Sequence, residues 1–267
     1  MRVVDCHVHL QGDANQTDIL RGMDQNEVDR SLLISRCERT SLDATRENLE
    51  QGRKLMKGSS GRLGGLAWLN PAIPGCAELA ERALTDWGYS GIKIIPDHWF
   101  VWEDRFEPFW QRLDDLSASV LFHTGILYLF EDGSRFNHPE FLERLQLHPR
   151  IRFAMAHISW PWCDECLAVM GRMQAAARAG GFPWQSFIDT TPGTPGYIRK
   201  QAVRNAIEFC GPDRLLFGSD STIPGDFICQ RTVRTADLTL YRELGLLPPQ
   251  IERVMSGTAD ELFPARP

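Results

Sequence analysis

Val3-Val4-Asp5-Cys6-His7-Val8-His9-Leu10 opens the chain as an apolar run carrying two histidines two residues apart. In an extended strand successive side chains alternate faces, so His7 and His9 are expected to project to the same side. Three further runs end in a similar way: Leu121-Phe122-His123-Thr124-Gly125, Ala154-Met155-Ala156-His157 and Leu216-Phe217-Gly218-Ser219-Asp220. Each reads as a strand with a histidine or aspartate at its C-terminal tip. Imidazoles and a carboxylate gathered at strand tips are what a divalent metal such as zinc needs for a hydrolytic site.

Working outward, eight strands are expected: Val3–Leu10, Asp29–Ser35, Leu63–Asn70, Gly91–Pro96, Val120–Gly125, Ile151–Ser159, Gln185–Thr191 and Leu215–Asp220. Most are continuous apolar runs, as in parallel strands covered on both faces. Helical patterns alternate with them at Thr17–Asn26, Leu42–Lys57, Ala77–Trp87, Glu107–Leu116, Pro139–Leu147, Cys163–Ala179 and Tyr197–Cys210. Two more helices follow, near Cys229–Leu244 and Pro248–Met255. Strand and helix repeated at steps of about 30 residues predict a (β/α)8 TIM barrel, one domain over residues 1–267. A doubly wound open sheet shares the alternation but would not naturally bring its first, fifth, sixth and eighth strand tips together.

The bulk properties agree with a small-molecule enzyme. At 267 residues the chain can bury roughly 70–75% of its unfolded surface, so it needs no disulfide to hold together. The net charge of −6 is spread without a basic patch, which argues against nucleic acid or an anionic membrane as partner. Seven scattered cysteines suit a reducing compartment, and no apolar stretch approaches the ~20 residues of a membrane span. With Met1-Arg2 leading directly into a strand, a cytoplasmic location is expected. Trp87 and Trp110, on expected helices, suggest an exposed homo-oligomeric contact.

Each candidate also has a plain structural explanation. His123 or His157 alone reads as a satisfied core histidine, and Asp220 alone as a turn cap. Their equivalent placement within one repeat favours the metal site. Asp5 is expected on the inward face with His7 and His9, as an acceptor for a ligand N–H or as a buried polar residue. Gly125 and Gly218 would leave room for a metal and a substrate. Lys93, inside Gly91-Ile92-Lys93-Ile94, is costly to bury unpaired. It could be carbamylated and bridge two metals, meet a substrate carboxylate, or form a structural ion pair. His98 and Trp160 lie on loops after strands and are candidates for substrate contact. Cys163-Asp164-Glu165-Cys166 has no second pair to complete a zinc site and reads as a helix start.

These residues resemble the amidohydrolase superfamily, in the amidohydrolase-2 branch that includes aminocarboxymuconate-semialdehyde-type decarboxylases. The resemblance rests on Asp5-x-His7-x-His9, Gly91-x-Lys93, Phe122-His123-Thr124-Gly125, Ala156-His157-Ile158 and Gly211-Pro212-Asp213-Arg214-Leu215-Leu216-Phe217-Gly218-Ser219-Asp220. It extends to Met255-Ser256-Gly257-Thr258-Ala259-Asp260-Glu261-Leu262-Phe263, with Thr258 in place of the family's usual asparagine. It implies a mononuclear site held by His7, His9, His123 and Asp220, with His157 polarising the substrate or transferring a proton. In binuclear relatives His123 and His157 hold the second ion, and a carbamylated lysine at the position of Lys93 bridges.

The expected activity is therefore metal-dependent hydrolysis of a small carboxylated or cyclic ester, lactone or amide. One or two Zn2+ ions, or Mn2+, would activate a water, with Asp220 orienting it and taking its proton. The alternatives are metal-dependent non-oxidative decarboxylation of an aromatic or muconate-like acid, and a non-catalytic barrel that only binds.

Overall fold

A computed structural model describes residues 1–265. Among these, nine parallel strands form one sheet in the order β8-β7-β6-β5-β4-β3-β2-β1-β9. They are β1 (Val4–Leu10), β2 (Arg30–Ile34), β3 (Leu63–Trp68), β4 (Gly91–Ile94), β5 (Ser119–Phe122), β6 (Arg152–Met155), β7 (Ser186–Asp189), β8 (Leu215–Leu216) and β9 (Ser221–Ile223). β8 lies within the expected strand Leu215–Asp220, whereas β9 continues just beyond it as a second half. β8 pairs with β7 and β9 pairs with β1, so the stretch from 215 to 223 joins the two ends of the sheet. Between the halves, Cys6 N–H donates to the Phe217 carbonyl at 3.1 Å and Asp220 N–H to the His7 carbonyl at 3.0 Å. The TIM barrel is thereby closed, and the strand breaks where Asp220 adopts a left-handed backbone (φ 59°).

Helices α1 (Gln16–Asn26), α2 (Leu42–Met56), α3 (Cys76–Thr85), α4 (Glu107–Asp115), α5 (Cys163–Gly180), α6 (Gly196–Cys210) and α7 (Phe227–Glu243) surround the sheet. The segment Pro139–Leu147, expected as α-helix, is a 3-10 helix, so β5 and β6 are linked by a tighter coil. Strand alternation splits the core in two. Val8, Leu33, Ile92, Ile94, Phe122, Phe153 and Ile188 pack outward beneath the helices. Val4, Cys6, Leu32, Leu66, Leu121, Phe187 and Leu216 fill the barrel interior. Phe263, following the short helix Thr258–Leu262, joins that interior set. Its ring lies so close to Gly91, at the start of β4, that a Cβ there would come within 2.8 Å. The N-terminal end of the barrel is thus stoppered, and the C-terminal end is left for the site.

Three local expectations are revised. β1 carries a register shift between Asp5 and Val8, so Cys6 and His7 both turn inward and Asp5 turns outward. There Asp5 accepts from Gln230 of α7 at 3.0 Å and from the Ser219 N–H at 2.9 Å. Trp87 and Trp110 are buried in the outer core and offer no exposed surface to a second copy. β6 ends at Met155 rather than Ser159, because His157, Ile158 and Ser159 all take positive φ values (60°, 50° and 54°). Left-handed backbone costs non-glycine residues about 1–3 kcal/mol each and persists only where the surroundings enforce it. Thr124 Oγ1 donates to the Ala156 carbonyl at 2.8 Å and Thr194 Oγ1 to the His157 carbonyl at 3.1 Å, pinning this turn. No described helix is long and apolar enough to cross a membrane.

Candidate active site

The strand tips converge as alternation and the β1 bulge require. His7 Nε2 lies 3.2 Å from His9 Nε2, and both atoms lie 3.4 Å from Asp220 Oδ1. The rings of His7 and His157 are 5.4 Å apart, and those of His123 and His157 5.0 Å. One ligand atom each from His7, His157 and Asp220 falls within 4.8 Å of the others, the spacing of donors around a cation. All five strand-tip residues therefore meet at one end of the barrel.

The hydrogen bonds decide which ring nitrogens face inward. His7 Nδ1–H donates to Asp189 Oδ2 at 2.7 Å, leaving the Nε2 lone pair toward Asp220. His157 Nδ1–H donates to the Pro192 carbonyl at 2.7 Å, which leaves its Nε2 free to act as a ligand. In both, an acceptor behind the ring fixes tautomer and orientation, as is usual for metal-binding histidines. His123 differs: its Nε2 is directed at the Ile126 carbonyl at 3.2 Å. The tightest donor group therefore contains His157, where the resemblance implied His123. A divalent ion fits this N/O donor set.

Electrostatics point the same way. Burial, reinforced by Lys93, holds the His7 imidazole well below its usual pKa, burial holds His123 well below it too, and burial lowers His9. Neutral imidazoles are the ligating form. Burial opposes ionisation of Asp220, but His7, His9 and His157 outweigh it and hold the carboxyl well below the usual range. Lys93 is fully buried with Nζ 3.2 Å from His7 Nε2, and burial pushes it down to about 8. Like His7, it does not line the adjoining cavity directly.

A cavity of about 180 Å³ opens onto these groups, with His9, His123, His157 and Asp220 on one side. Its remaining side chains include Ile95, Ile126, Leu127, Tyr128, Leu129 and Trp160. Trp160 therefore lines the cavity. His98 does not; it hydrogen-bonds Asp97, which also receives Arg39. A larger hollow of about 670 Å³ surrounds Arg30, Lys57 and Trp87 at the opposite end, with no histidine among the described residues that line it. Chemistry, not size, identifies the smaller cavity as the site.

Asp189 and Thr191 were not singled out in the sequence. Asp189 ends β7 on the inward face, is fully buried, and accepts the Thr191 N–H at 2.8 Å as well as His7. The signal was present in Phe187-Ile188-Asp189, a carboxylate at a strand tip like Asp220. The glycines serve differently from expectation. At Gly218 a Cβ would come within 2.5 Å of Thr191 Oγ1 and 2.8 Å of His7 Cβ, so this glycine admits the His7–Asp189–Thr191 cluster. Gly125 (φ 100°) gives way to the Trp160 carbonyl, 2.3 Å from where its Cβ would lie.

Comparisons with known proteins agree with this architecture. A 5-carboxyvanillate decarboxylase from Sphingomonas paucimobilis superposes with a TM-score of 0.72 at 17% identity, covering 99% of both chains. A 5-carboxyvanillate decarboxylase from Novosphingobium aromaticivorans, complexed with manganese, gives 0.71 at 12% identity over 98% of this chain and 96% of that one. A probable 2-pyrone-4,6-dicarboxylic acid hydrolase from Acinetobacter baumannii gives 0.66 at 13% identity, over 98% and 99%. At these identities the likeness concerns the fold. No protein of curated function is matched by the sequence. The amidohydrolase family model of the amidohydrolase-2 type matches residues 4–265, and the chain belongs to that family.

Proposed function

We propose that this amidohydrolase is a metal-dependent hydrolase of a small ester, lactone or amide, with His7, His9, His157 and Asp220 holding the ion. The observation that carries the reading is the meeting of oriented histidines and one ionised carboxylate at the floor of a cavity. A divalent ion such as zinc or manganese supplies Lewis acidity and a nucleophilic water at neutral pH.

The chain's own residues do the remaining work. Among the described residues Asp220 is the one carboxylate on the cavity wall, and its side chain is about a third exposed, so it can meet both ligands and substrate. It takes the proton of the attacking water and returns it to the leaving group. Asp189 and the Pro192 carbonyl keep the His7 and His157 rings from turning. Trp160 and the 126–129 loop exclude bulk water and hold the substrate body. Lys93, next to His7 and depressed by burial, would help to hold a second ion if carbamylated.

Decarboxylation is the second reading, favoured by the apolar wall facing the polar groups. A substrate carboxylate placed against that wall loses its water; as the C–C bond breaks and CO2 leaves, the electron pair stays on the substrate carbon, which takes a proton from water relayed by Asp220. The decisive experiment loads the protein with zinc or manganese and assays CO2 release against lactone, ester and amide cleavage on a panel of small acids. Cleavage without CO2 supports hydrolysis, and CO2 without cleavage replaces it by decarboxylation. Sub-stoichiometric metal after supplementation, with neither product, would leave a non-catalytic barrel.

A further inference from the structure

We infer that the cavity at the N-terminal end of the barrel is a second site, independent of the strand-tip centre, for a small sugar phosphate. It holds about 670 Å³, within the roughly 300–1,000 Å³ of small-molecule sites, and is walled by the α2–β3 and α3–β4 connections. The first wall is cationic. Arg53 and Lys57, at the end of α2, line it, and neither side chain has an ion-pair or hydrogen-bond partner among the described residues. Arg30 lines the same cavity at its buried side, only 2% exposed. Its guanidinium donates to Ser90 Oγ at 3.0 Å and to Asp260 Oδ1 at 3.1 Å, and its Nε–H has no acceptor among the described residues. Asp260 also pairs with Arg2, so one carboxylate serves two guanidiniums. Burial and the neighbouring Arg2 hold the Arg30 guanidinium down to about 10, a surplus of positive charge that an anion would relieve.

The backbone adds donors of the kind a phosphate needs. The 58–61 loop lines the cavity with left-handed backbone at Gly58, Ser60 and Gly61 (φ 79°, 55° and 78°). The amides of these three residues have no protein acceptor among the described residues. Unpaired amides in such turns form anion-binding concavities, and a phosphate brings three acceptor oxygens and a charge near −2. The second wall has the opposite sign. There Asp86 lines the cavity; its side chain accepts from Thr85 Oγ1 at 2.8 Å and has no cation partner among the described residues. A carboxylate in that place repels a second phosphate and accepts from hydroxyl groups, and Ser59 and Ser60 line the same space. The complementary molecule carries one phosphate at one end and hydroxyls at the other, as a monosaccharide phosphate does.

Calorimetry on the zinc-loaded full chain with ribose 5-phosphate, ribose and inorganic phosphate tests this. Ribose 5-phosphate is expected to bind at least about tenfold more tightly than either fragment. Zinc at the strand tips would also attract phosphate, so the variants locate the binding. Lys57→Glu should weaken ribose 5-phosphate at least about tenfold, and Arg53→Glu provides a second variant should the first fail to fold. Lys54→Glu makes the same change of charge at an exposed position of α2 that does not line the cavity, and should leave binding within about twofold. Asp86→Ala should weaken ribose 5-phosphate at least about threefold and leave inorganic phosphate no weaker. Asp220→Asn, which disturbs the proposed metal centre, should change nothing. Ribose 5-phosphate binding no tighter than inorganic phosphate would overturn the inference. Equal loss in Lys54→Glu and Lys57→Glu would overturn it in favour of diffuse surface charge, and loss confined to Asp220→Asn would return the binding to the strand tips.

Discussion

Replacing Asp189 by asparagine tests the site through one buried hydrogen bond. Asp189 is fully buried, accepts His7 Nδ1–H at one oxygen, and accepts the Thr191 N–H and hydroxyl at the other. A carboxylate satisfies three donors, whereas an amide offers only one oxygen. If the asparagine oxygen faces His7, its NH2 opposes two Thr191 donors. If the NH2 faces His7, the ring must accept at Nδ1 and carry its proton on Nε2, which blocks the nitrogen aimed at Asp220. Either arrangement weakens His7 as a ligand. Loss of such a supporting partner costs about 10–100-fold in metal affinity, or roughly 1.4–2.8 kcal/mol. Zinc affinity by chelator competition, with circular dichroism to confirm the fold, reads the effect. An Asp189→Asn protein that folds and binds zinc within twofold of the parent would refute the proposed role of the His7–Asp189 pair.

Other predictions follow from equally local geometry. His157→Ala should lower bound zinc well below one equivalent while His123→Ala retains it, because His123 is tied to the Ile126 carbonyl; metal analysis of the two proteins decides, and the reverse pattern would restore His123 as the ligand. Gly125→Ala should cost about 1–3 kcal/mol in urea unfolding and disturb the Trp160 turn, since the site demands φ 100° and abuts a carbonyl. An unchanged midpoint would show that the turn yields freely. Phe263→Ala should cost about 3–5 kcal/mol, the usual loss for a buried phenylalanine, by opening the stoppered end of the barrel. A loss under about 1 kcal/mol would mean that the ring is not part of the load-carrying interior.

Much of the barrel was readable because its strands are apolar on both faces and its helices intervene at regular steps. The strand tips were readable for the same reason: His123, placed two residues beyond Leu121, shares its inward direction by simple alternation. Reading failed wherever alternation was interrupted. The β1 bulge turned Asp5 outward to Gln230 while sending both Cys6 and His7 inward, and no pattern within those residues announces it. The left-handed turn at His157–Ser159 is enforced by Thr124 and Thr194, remote in the chain.

The amino-acid order by itself determined the alternation of elements and the presence of imidazoles and a carboxylate at strand tips, because hydrophobic periodicity and strand pleat are local properties. Only the tertiary structure decided which nitrogen each imidazole presents and that Asp189 supports His7. Those facts depend on hydrogen bonds and packing between segments more than a hundred residues apart, such as His7 with Asp189, and such distances are set only once the barrel closes.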